Sequence, residues 1–175
     1  MIIPGFIITW LTFPGVMVHE LAHKLFCQWT GTKVLQVCYF RFGNPAGFVV
    51  HETPPSVWRH ILIGIGPLFV NTVAGFLIGL LLPTLKHVNG DAGAFLQIVV
   101  VWLAVSVAMH SFPSTGDAKS IWAAVSKPEV PLGAKIVGLP VVGLIYLGAI
   151  GSVVWLDLIY GAAVVVGLPI LLHLS

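Results

Sequence analysis

The sequence predicts an all-α polytopic membrane protein of about five transmembrane helices, four to six at the limits, with a small membrane-associated β-hairpin between helices one and two. Three observations carry this. Hydrophobic residues make up 58% of the 175-residue chain and charged residues 8%, where soluble domains carry about 25% charge. Mean hydropathy is +1.02. Apolar stretches long enough to cross a bilayer recur along the chain, separated by short polar connections. One core of this size could not hide so much apolar surface, so lipid must cover part of it. The length allows a single membrane-embedded domain, residues 1–175.

The first expected span covers residues 2–29, interrupted early by Pro4 and Pro14. It has no basic leading region and no small-residue cleavage site before its first charges, so no cleavable signal peptide is expected. Residues 32–42 are rich in β-branched and aromatic side chains, Gly43-Asn44-Pro45 is a turn signal, and residues 46–51 look extended again. This reads as a hairpin. Lipid forbids bare sheet edges, so it must lie at the interface or against protein. The second span, 57–85, carries Gly64, Gly66, Pro67, Asn71, Gly75 and Gly79, a density of small residues that favours close helix packing. The third covers 94–110. A short amphipathic piece, 118–125, and a Pro-containing linker follow. Residues 133–150 and 153–173 give two accessory spans. No repeat or low-complexity tract is visible.

Seven of the eight Lys and Arg residues lie at or between the facing ends of spans one and two or of spans three and four; Lys86 alone lies on the other side. The positive-inside rule then puts those two connections in the cytoplasm and the N-terminus outside. The net charge of +2 is too small an excess to suggest nucleic acid. Two cysteines, Cys27 and Cys38, make neither a disulfide framework nor a four-ligand structural zinc site.

The chemistry sits in the first span. Polar and charged residues inside an apolar helix are costly, and His19, Glu20, His23 and Lys24 crowd into one such stretch. His19-Glu20-Leu21-Ala22-His23 is the H-E-x-x-H pattern. Residues four apart on a helix are separated by about 6 Å in rise and about 40° in azimuth, so both imidazoles can share one zinc ion. Glu20 then lies near enough to take a proton from water at the metal. At this composition the pattern is expected by chance roughly 0.005 times.

A catalytic zinc takes three protein ligands and keeps one position open. The third ligand is sought among His51, Glu52, His60, His87, His110, Asp117 and Asp157. The charge count puts the ends of spans one and three at the same face, which favours Asp117 and, after it, His110. His87 falls on the opposite face. Asp117 also reads as the N-cap of the 118–125 helix, a use that competes for the same carboxylate.

These residues resemble the site-2 protease family of intramembrane zinc metalloproteases. His19-Glu20-Leu21-Ala22-His23 matches the family's zinc motif in its first core helix. Gly66-Pro67-Leu68-Phe69-Val70-Asn71 resembles its Gly-Pro…Asn segment in the second. His110-x-x-Pro113…Gly116-Asp117 resembles the Asn-x-x-Pro…Leu-Asp-Gly segment of the third, with His110 in place of Asn and a spacing one residue shorter. The hairpin resembles the family's membrane-associated strands. The likeness covers residues 10–125, a metalloprotease-like core, with 133–175 outside it.

The resemblance implies one zinc ion held by His19, His23 and Asp117, Glu20 as general base, and hydrolysis of a peptide bond in or beside a membrane. The substrate would be a membrane protein or membrane-anchored peptide. Asn71 would orient the substrate or the oxyanion, and His110 stands where a substrate-facing group is expected. The site would face the cytosolic side. A substrate chain would add as a strand beside residues 48–51, because a helix hides its peptide bonds. The competing class is a non-catalytic metal-binding membrane scaffold, which would keep its function in Glu20→Gln. A di-iron oxidase needs more paired histidine boxes than the isolated His51, His60, His87, His110 and His173 supply. A metal-dependent transporter is the remaining class.

Overall fold

The computed structural model describes residues 5–85, 88 and 90–173; Met1 to Pro4, Lys86, His87, Asn89, Leu174 and Ser175 lie outside them. The chain forms α1 (Gly5–Leu11), α2 (Phe13–Trp29), β1 (Val34–Cys38), β2 (Phe48–His51), α3 (Val57–Gly79), α4 (Leu82–Leu85), α5 (Gly90–Met109), α6 (Thr115–Val125), α7 (Leu132–Gly151), α8 (Leu156–Ala162) and α9 (Leu168–His173). It is mostly helical, with one two-stranded sheet.

Among the described residues, three helical stretches are long and apolar enough to cross a membrane: Val57–Leu85, Gly90–Met109 and Leu132–Val154. The expected first span is two helices, α1 and α2, bent by 84° at Thr12. Pro14 sits in the first turn of α2, where it has no N–H to give the carbonyl four residues back, that of Trp10 in α1. If that bent pair counts as one span, the total is four. The expected fifth span is shorter. Trp155 takes a left-handed conformation at φ 65°, and the apolar stretch Leu156–Leu172 beyond it is interrupted by a π-helical turn, Ala163–Gly167.

The hairpin is antiparallel, pairing Val34 with His51 and Cys38 with Phe48, with an irregularity between Val34 and Gln36. Its connection is longer than the turn signal suggested, covering residues 39–47. That loop is tied to the first two helices by aromatic contacts, Phe42 on Trp10 and Phe40 on Phe13. Lys24 Nζ adds a hydrogen bond to the Tyr39 hydroxyl at 3.0 Å.

Helix α3 is the centre of the bundle. Its Ile63 packs with Phe26 and Cys27 of α2. Its Ile61 joins Ala118, Ile121 and Val125 of α6 and Val142 and Ile145 of α7. Helix α5 meets it closely, since a Cβ on Gly75 would lie 2.6 Å from the Ala108 side chain; this is the close packing expected of small residues. The outward faces stay apolar and exposed, as with Phe69, Val73 and Leu77 on α3 and Leu144, Leu147 and Ile150 on α7.

Candidate metal centre

His19 and His23 lie one turn apart on α2, and both imidazoles point inward, with Nε2 atoms 3.2 Å apart. Each ring is held by its other nitrogen. His19 Nδ1 donates to the His110 carbonyl at 2.8 Å, and His23 Nδ1 donates to the Ile63 carbonyl at 2.9 Å. Asp117, in the first turn of α6, brings Oδ1 to 3.4 Å from His23 Nε2. One ligand atom from each of the three lies within 4.8 Å of the others, and among the described residues no other group of three or more such donors gathers this way.

This donor set fits a metal cation. A carbonyl only accepts, so both Nδ1 atoms carry the proton, and the Nε2 atom of each neutral ring then presents a lone pair. Two lone pairs and a carboxylate oxygen face one another with no proton assigned between them. Such an arrangement repels itself unless a cation sits among its members. Two imidazoles and one carboxylate are a known catalytic-zinc set, and imidazole nitrogens held through Nδ1–H to a carbonyl are the usual support for such ligands.

Asp117 divides its work. Its Oδ2 accepts from the Ser114 backbone N–H at 2.7 Å and from the Ser114 hydroxyl at 2.6 Å, while the Asp117 N–H donates back to Ser114 Oγ at 3.2 Å. This is a capping box with Ser114 as N-cap. The expected competition between capping and ligation therefore does not arise: the cap belongs to Ser114, and Asp117 spends one oxygen on it and turns the other to His23.

Glu20 is buried beside the imidazoles and borders a cavity of about 460 Å³ that also reaches His19, His23 and Asp117. The hairpin roofs this cavity with residues 44–49 and His51. Contact there is tight: a Cβ on Gly47 would lie 2.6 Å from Glu20 Cγ. The bend at Thr12 folds α1 back so that Thr9 also reaches the cavity wall.

The other sequence candidates separate. His110 lines the cavity, but its ring turns back to its own helix, with Nδ1 donating to the Ser106 carbonyl at 3.0 Å; it reaches the centre through its backbone carbonyl. Asn71 is not brought to the cavity. It is 0% exposed, and its amide donates to the carbonyls of Gly15 and Val107, both at 3.1 Å. An amide in an apolar helix can bolt neighbouring helices together, and here it ties α3 to α2 and α5. His51 and His60 line the cavity away from the donor cluster, with His60 Nε2 2.6 Å from Ser120 Oγ. Glu52 pairs with Lys33 at 3.5 Å on the surface. Asp157 Oδ1 accepts from the Leu158 N–H.

Three contributors went unnoticed in the sequence. Ser114 was visible as the start of a Ser-x-x-Asp capping pattern. Gly47 and the Ile63 carbonyl carry no side-chain signature.

No curated protein and no solved structure matches the chain. The model of the DUF3267 family, described as "Putative zincin peptidase", matches residues 12–130, which contain the whole donor cluster and Glu20, and the chain belongs to this family.

Proposed function

We infer that the protein is an intramembrane zinc metallopeptidase of the site-2 type, cutting a peptide bond in or next to a membrane-spanning substrate. The observation that carries this is the convergence of His19, His23 and Asp117 beside Glu20 in one cavity, within a chain of long apolar helices. The zinc-peptidase family membership supports the hydrolytic class.

His19 Nε2, His23 Nε2 and Asp117 Oδ1 would hold the ion. Zinc, when bound, supplies a water of pKa near 7 and polarises the scissile carbonyl. Glu20 accepts a proton from the attacking water and returns it to the departing amine nitrogen. The roof formed by the hairpin keeps bulk water from the Glu20 carboxylate. The outer edge of β2 borders the cavity and offers backbone donors and acceptors to an extended substrate. Clustering of Lys24, Lys33, Arg41, Arg59, Lys119, Lys127 and Lys135 around the connections near the site supports a cytoplasmic-facing centre.

The test uses purified protein in lipid vesicles with a membrane-anchored peptide substrate. Glu20→Gln is expected to keep one zinc per chain and lose about 10²–10⁴-fold in cleavage rate. Cleavage at the wild-type rate would end the proteolytic reading and leave a metal-binding scaffold.

A further inference from the structure

The two imidazoles obtain their supporting carbonyls in different ways, and the difference singles out a residue. His19 uses the carbonyl of His110, just past the end of α5. Carbonyls at a helix C-terminus have no helical partner, so one is available there in any protein. His23 uses the carbonyl of Ile63, in the interior of the 23-residue helix α3. No carbonyl should be free at such a place, because each is taken by the N–H four residues on. Four residues on from Ile63 is Pro67, which lies inside α3 and is fully buried. Proline has no N–H, and its ring pushes against the carbonyl four residues before it.

We propose that Pro67 is a positioning residue for the metal centre: by lacking an N–H it frees the Ile63 carbonyl to fix the ring of His23. Its place within the helix would otherwise be a plain loss, since an interior proline removes a backbone hydrogen bond. Here the vacated acceptor is filled at 2.9 Å by His23 Nδ1–H. This bond sets both the tautomer and the direction of the ring, so Nε2 faces His19 and Asp117. The inference rests on the zinc-site reading above.

Zinc affinity, measured by competition with a chromophoric chelator on purified protein in detergent, tests it beside thermal unfolding of the zinc-free form. Pro67→Ala and Pro67→Gly each restore an N–H that competes for the Ile63 carbonyl. Both are expected to bind zinc about 10–100-fold more weakly, while Pro67→Ala unfolds at or above the wild-type temperature. Pro140→Ala, at the interior proline of α7, is expected to bind zinc as the wild type does. An ester-linked lactate at position 67, with neither ring nor N–H, is expected to restore affinity to within a few fold of wild type. Wild-type affinity in the Ala and Gly variants would overturn the proposal, and so would lost affinity in the ester, which would point to the ring. A wild-type protein that binds no zinc would remove the site reading itself, and this inference with it.

Discussion

The Asp117 carboxylate holds Ser114 through one oxygen and faces His23 through the other. Removing the serine hydroxyl should therefore be felt twice. Ser114→Ala is expected to cost about 1 kcal/mol of stability, as lost helix caps do, and to weaken zinc about tenfold by loosening the carboxylate. Denaturant unfolding and chelator competition measure the two effects separately; a variant with the stability loss alone would show that Oδ1 needs no help from the cap. At this scale much was legible. The His19–His23 spacing is local and needs only a helix. Asp117 comes to the imidazoles because the end of α5 packs beside α2, with the His110 carbonyl on His19. In sequence an amide in an apolar helix looks the same whether it serves a substrate or, as the Asn71 amide does here, donates to two backbone carbonyls. The Ile63 carbonyl was illegible because every residue carries one; only the absence of its usual donor marks it.

Helices α2 and α5 approach so closely that the centre depends on one missing side chain. A Cβ on Gly15 would lie 1.9 Å from the Ser106 carbonyl oxygen and 2.6 Å from His110 Nδ1, and the Gly15 N–H donates to Ser106 Oγ at 3.1 Å. Gly15→Ala is expected to force the helices apart at a cost of about 1–3 kcal/mol and to reduce zinc occupancy, because the His110 carbonyl would leave His19. Thermal unfolding and metal content check this; full occupancy at unchanged stability would contradict it. The sequence pattern located the hairpin through its β-branched run but understated its connection, since aromatic contacts to α1 and α2, not a tight turn, hold residues 39–47 in place. It read residues 2–29 as one span interrupted early by Pro4 and Pro14, and the described part of that span bends by 84° at Thr12. Hydropathy registers apolar content and passes over the backbone break at Thr12.

Across the whole molecule, the three buried clusters do not merge into one interior. Each is shared among several elements of the bundle, and many large apolar side chains face outward. That arrangement suits a hydrocarbon solvent, where packing rather than water exclusion holds helices together. The expected range of four to six spans meets the three or four stretches found among the described residues at four; composition cannot distinguish a crossing helix from shorter apolar pieces separated by a left-handed residue and a π-helical turn. Helix α7, outside the resemblance, nevertheless seals α6 against α3 through Val142 and Ile145, so it supports the element that carries Asp117.

His19 and His23 sit near one end of the chain and Asp117 more than half the chain away. An ion gripped by all three works as a removable staple, closing a long loop that holds the hairpin, α3 and α5. Stripping it with a chelator should lower the unfolding temperature, by the equivalent of about 4 kcal/mol where zinc had been at a thousand times its dissociation constant, and the same treatment should leave Asp117→Ala unmoved. A midpoint indifferent to the chelator in the wild type would mean the loop is closed by packing alone.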